Sequence, residues 1–173
     1  MKSHIRCLEN IYACQEAIDF ADGYDSMQAA WNACERGDWM LWLKGRKCRT
    51  LDQRRELVFV AAQCARLALP IWESRYPTDD RVSQCLDACE AWSRGAISDA
   101  ALAAARDAAH TAAIYADAAN DAASAATHAA SSANAANDAV YAIDVRSAAA
   151  VHSAKKDTLN ACAVIVRSKY PKP

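Results

Sequence analysis

The chain has 173 residues, enough for one domain with a real core, and 53% of them are apolar. Only four Gly and four Pro occur, which argues against a disordered or loop-rich chain. A net charge of −1, balanced along the chain, leaves no basic field, so neither nucleic acid nor a membrane surface is expected as a partner.

No apolar run reaches the roughly 18 residues of a membrane span, and the opening MKSHIRCLEN lacks the apolar stretch of a signal peptide. A cytoplasmic location is the expectation. The eight cysteines are then expected as reduced and mostly buried thiols. Cys7 and Cys14 are spaced for one helix face, as are Cys85 and Cys89. No CxxC and no mixed Cys/His spacing marks a metal site, and no cofactor is expected.

In chain order, a first helix is expected from about Leu8 to Ala21, stopped by Gly23. Asp25 and Gln28 resemble a capping box for a helix with Met27, Ala30, Trp31 and Cys34 as its apolar stripe. Gly37 should end it. Asp38 can cap the next helix, which Gly45 closes. Thr50 and Gln53 form a second capping-box pattern. The helix they open, Leu51 to about Leu69, is too apolar for the surface and reads as the central helix of residues 1–95. Pro70 stops it, leaving Trp72 and Tyr76 in a linker before Pro77. TDDR starts a helix with acidic side chains at its N-terminus, running through Val82, Cys85, Leu86, Cys89 and Trp92 to Gly95.

Beyond Gly95 the composition changes. Alanine supplies 28 of the 59 residues from Ala96 to Ala154, without Gly or Pro. Alanine is the best helix former and loses no side-chain entropy on folding. Small pairs recur at a helical period, so this stretch should form two or three closely packed helices after an N-cap at Ser98. Breaks are expected near Ala116–Asp121 or Ser131–Asn137. Ala108, Ala112, Ala122, Ala126 and Ala129 are expected at helix contacts. A last helix should carry Val140, Tyr141, Ile143, Val151, Leu159, Val164 and Ile165 and stop before Pro171. Poly-alanine helices bury little area per residue and need the bulky faces of residues 1–95 as partners. The expectation is therefore one all-α domain over residues 1–173, a bundle of seven or eight helices without a sheet. Residues 1–95 supply short helices with Trp and Cys, and 96–170 the alanine-rich ones.

Two surfaces are candidates for binding a protein. The first is the phrase WNACERGDWMLWLKGR, with Trp31, Trp39 and Trp42 beside Arg36 and Asp38. Trp and Arg dominate interface hot spots; the same residues would also serve as a packed corner between two short helices. The second is an acidic stripe. Five Asp and no Lys or Arg lie between residues 107 and 145, among them Asp117, Asp121 and Asp138. It is either a solvated face or a surface for a basic partner. The basic cluster KGRKCR lacks the glycines of a phosphate loop and reads as a solvated loop. No catalytic residues are assigned, because no HExxH and no Ser-His-Asp set occurs. His110 and His128 share a helix face, which leaves a metal-binding bundle or an enzyme as an alternative to a non-enzymatic binding protein. A phage accessory or structural protein is a further alternative, and a homo-oligomer stays open.

The phrases AWNACERGDWMLWLKGR, CARLALP, ACEAWSRG and the closing CAVIVRSKYP resemble the Imm-5-like immunity protein family of bacteria and phages, over nearly the whole chain. The resemblance implies a small cytoplasmic protein that binds and neutralises a polymorphic toxin. It supplies no catalytic residues. Family members often carry Arg and Tyr in the alanine tract, where this chain's polar residues are mainly Asp, Asn, Ser and His. If that tract binds, the resemblance implies a different partner.

Overall fold

A computed structural model describes residues 2–115 and 150–173, with their side chains except at 71, 75, 112–115 and 150–155. Nine helices and no strand occur among the described residues. They are α1 (Ser3–Asn10), α2 (Gln15–Asp22), α3 (Met27–Ala33), α4 (Gly37–Lys47), α5 (Leu51–Arg66), α6 (Leu69–Arg75), α7 (Arg81–Ser93), α8 (Asp99–Tyr115) and α9 (Ala150–Lys169). The fold is all-α, with more and shorter helices than the sequence suggests.

Two corrections account for the difference. The expected Leu8–Ala21 helix is two helices, α1 and α2, parted at Tyr12, whose φ is +60°. Tyr12 N–H donates to Glu9 O and Ala13 N–H to Leu8 O, each at 3.0 Å, which closes α1 in the arrangement usually built around glycine. Cys7 therefore lies on α1 and Cys14 just ahead of α2, and both are exposed. The expected linker after Pro70 is α6, with that proline in its first turn, where a missing N–H costs nothing. Trp72 is buried within it and donates Nε1–H to Asp79 O at 2.8 Å.

Local signals place several other ends. Thr50 and Gln53 form the expected capping box of α5. Ser98 Oγ accepts Ala101 N–H at 3.3 Å at the head of α8. Ser26, rather than Asp25, caps α3 by accepting Ala29 N–H at 3.1 Å. Gly37 does not end α3. It opens α4, where an added Cβ would lie 2.4 Å from Cys162 Cβ. Glycine is needed there because α4 and α9 touch backbone to backbone. Gly45 is buried inside α4, which continues to Lys47.

Helix α5 is central, as its apolar sequence suggests. Val58, Ala61, Ala62 and Ala65 face a core shared with α6, α7 and α8, containing Trp72, Val82, Cys85, Leu86, Cys89, Trp92, Leu102 and Ala109. Leu57, Val60 and Cys64 face a second core with α1, α3, α4 and α9, containing Leu8, Trp31, Leu41, Cys162 and Val166. Five cysteines are buried and Cys48 is half-buried. On α8 the expected contact face is one residue out of register: Ala108 is exposed, while Leu102 and Ala109, seven apart, are buried. On α9 Val164 is exposed and Val166 buried. Ala122, Ala126, Ala129, the expected helix breaks, and Val140, Tyr141 and Ile143 lie outside the described residues. So do the contacts of the Ala112 and Val151 side chains. No helix among the described residues is long and apolar enough to cross a membrane.

Candidate functional site

The tryptophan-rich phrase folds into α3, the turn after it and α4. There it lines one side of an open cavity of about 370 Å³. Phe20 and Ala17 of α2, Met27 of α3 and Trp39 and Trp42 of α4 form its apolar walls. The rings interlock at the base of α2: Phe20 lies 5.9 Å from Trp39 and 5.1 Å from Tyr24, centroid to centroid and tilted. Tyr12, at the corner between α1 and α2, stands at the lip and is 85% exposed.

One polar arrangement sits in this wall. Arg36 donates to both oxygens of Asp38, Nε to Oδ1 at 2.9 Å and Nη2 to Oδ2 at 2.6 Å. That fork raises the guanidinium above its ordinary value, against partial burial. The guanidinium also lies over Trp39, 4.3 Å from the ring centroid. Asp38 is thus not the cap expected of it. It is a buried carboxylate in the first turn of α4, neutralised by Arg36.

The three tryptophans have different surroundings. Trp39 and Trp42 are half-buried and present ring surface to the cavity. Trp31 is only 3% exposed, and its Nε1–H donates to Tyr170 O at 3.0 Å. Lys44 stacks near both rings, 5.5 Å from Trp31 and 4.8 Å from Tyr170, and burial lowers its ammonium below the ordinary value. Trp31 therefore anchors the tail that follows α9 to α3, and of the three rings it leaves the least surface for a partner. Sequence reasoning also missed Tyr12, Phe20 and Met27. Met27 stands one helical turn before Trp31, but no spacing rule joins Tyr12 and Phe20 to the tryptophan phrase; the turn at Tyr12 does so.

The acidic candidates Asp117, Asp121 and Asp138 lie outside the described residues, as does His128. His110 is exposed on α8. His4 is buried, with Nε2 3.2 Å from Ala21 O, linking α1 to α2. Among the described residues no group of three or more His, Cys, Asp or Glu is placed to hold a metal ion.

A family model described as "Imm-5 like putative immunity protein" matches residues 47–172. No curated protein and no solved structure matches. The matched stretch contains CARLALP, ACEAWSRG and CAVIVRSKYP. It begins directly after the tryptophan-rich phrase, so the match is shorter than the whole-chain resemblance, and every cavity-lining residue precedes it.

Proposed function

The chain belongs to the Imm-5 like immunity protein family, and from that membership we propose that it is a non-enzymatic protein that binds and neutralises a polymorphic toxin. The cytoplasm is the setting that goes with this role. The aromatic cavity between α2 and α4 is the contact surface, with Trp39, Trp42, Tyr12 and Arg36 as its contact residues. One observation carries this choice: Tyr12 holds a left-handed backbone conformation with its ring 85% exposed at the cavity's lip. Such strain in a residue that buries nothing at home suits a role outside the fold.

The experiment is capture of the partner from the native host, compared between the natural chain and Trp39→Ala. The reading expects one specific protein held by the natural chain and lost by the variant, with helicity unchanged. Truncating a hot-spot tryptophan costs about 2 kcal/mol or more, some 30-fold in affinity. Equal capture by both would remove the cavity from the interface. The acidic stripe offers a second surface, because residues 107–145 hold five Asp and no Lys or Arg; Asp107 is paired with the flanking Arg106, and Asp117, Asp121 and Asp138 remain its candidates. Loss of the partner in Asp117/Asp121→Asn, with Trp39→Ala unaffected, would assign binding to that stripe.

A further inference from the structure

A second cavity, of about 330 Å³, lies where the start of α5 meets the ends of α7 and α9. None of its lining residues is shared with the aromatic cavity, and all lie within the family-matched stretch.

Arg55 is its central group. The guanidinium lies over the Trp92 ring, 5.7 Å from the centroid. Trp92 is itself fixed, donating Nε1–H to Asp99 Oδ1 at 2.6 Å. On another side stands Gly95, whose φ of +73° turns the chain off the end of α7; a Cβ there would be 3.6 Å from Arg55 Nη2. The side chain is thus held in place by packing. Yet no hydrogen bond or ion pair engages it among the described residues, and its Nε is buried without an acceptor. The residue as a whole is half-buried, so its guanidinium is only partly enclosed and lines the cleft without a charged partner of its own among the described residues.

The charges around it restrict what that is. Lys169 Nζ is 2.9 Å from Glu56 Oε1, so this pair cancels. Arg55 and Arg94 then stand against Asp52 alone, a surplus of one positive charge. A monoanion matches that surplus. A phosphate dianion would exceed it and face two carboxylates. Phe59 supplies an apolar wall beside the guanidinium groups.

We propose that this cleft binds a carboxylate carried on an apolar body, with Arg55 and Arg94 donating to the carboxylate and Phe59 packed on its carbon skeleton. Packing of Arg55 between Trp92 and Gly95 means that little side-chain freedom is lost on binding. The carboxylate belongs either to an acidic side chain of a protein partner or to a free acid.

The test follows arginine Nε–H signals by NMR during titration with three probes: phenylacetate, N-acetyl-Phe-Glu-amide and inorganic phosphate. The expected result is a saturable shift of the Arg55 signal with a carboxylate probe. Affinity should fall at least about tenfold in Arg55→Gln and a few-fold in Arg94→Gln, with circular dichroism unchanged. Tighter binding of phenylacetate points to a free acid, and tighter binding of the peptide to an acidic side chain. If Arg55→Gln does not fold, exposed Arg94 carries the comparison. No saturable shift with either carboxylate, phosphate binding as tightly, or an affinity indifferent to both substitutions would each overturn the proposal. Toxin capture plays no part in this measurement, so its outcome is separate from that of the proposed function.

Discussion

Tyr12 holds a backbone conformation that an L side chain adopts at a cost of about 1–2 kcal/mol. Tyr12→Gly should raise the denaturation midpoint by the equivalent of about 1 kcal/mol while weakening toxin binding. A midpoint that falls would show that the ring stabilises the corner. Gly37 presents the reverse case. Its missing Cβ is the space that Cys162 and the Ala163 backbone occupy, and neither can move without moving α9. Gly37→Ala should cost about 1–3 kcal/mol in denaturant unfolding; a neutral result would mean that the two helices can separate freely. Titration adds a third expectation. Contact with the Cys162 thiol, and then burial, pushes the Cys64 thiol well up. Contact with Cys85, and then burial, does the same to Cys89, and burial raises the Tyr170 phenol. Each raised group stabilises the fold fully below its unfolded value and loses that contribution as pH climbs past it. The midpoint should hold level up to about pH 9, the usual thiol range, and fall above it. A midpoint unchanged well above pH 10 would contradict the burial of these groups.

At the scale of elements, α5 and α8 show what periodicity can and cannot place. Helix α5 has bulky apolar residues on two faces, so its central position and its cap at Thr50 are legible from sequence. Thr50→Ala should cost about 1 kcal/mol, measured as a lowered midpoint. In α8 the alanines are nearly interchangeable, so the period is visible but the phase is not. Leu102 sets the phase by entering the core beside Trp92, which carries Ala109 inward and turns Ala108 out. Ala109→Leu should therefore overpack and cost about 1–3 kcal/mol. Ala108→Leu should stay within about 0.5 kcal/mol of the natural chain. Equal tolerance at both would undo the face assigned here.

At the scale of the molecule, the two cores share α5, each using a different face of that helix. Neither core can open without exposing the other's wall. We therefore expect residues 1–173 to unfold as one domain, with tryptophan fluorescence and far-UV circular dichroism tracing one transition. Two separated transitions would divide the molecule along α5. The sites sort in a similar way. Trp39, Trp42 and Arg36 were legible as an aromatic and basic cluster within one phrase. The cavity they line was not, because its other wall comes from α2, brought over by the corner at Tyr12. The Arg55 cleft was only partly legible: Asp52, Arg55, Glu56 and Phe59 share one face of α5 by spacing, but Arg94, just past α7, and Lys169 of α9 are brought there by the fold.

The sequence by itself determined the all-α class, the caps at Thr50 and Ser98 and the central place of α5. These depend on propensity, short-range hydrogen bonds and apolar content, all set within a few residues. Only the tertiary structure decided that Trp31 is an anchor for Tyr170 while Trp39 and Trp42 remain half-exposed. It alone decided that Gly37 is a contact rather than a stop, and that Asp38 pairs with Arg36 rather than capping a helix. Each of these outcomes turns on which distant surface a side chain meets, and identical local sequence is compatible with either one.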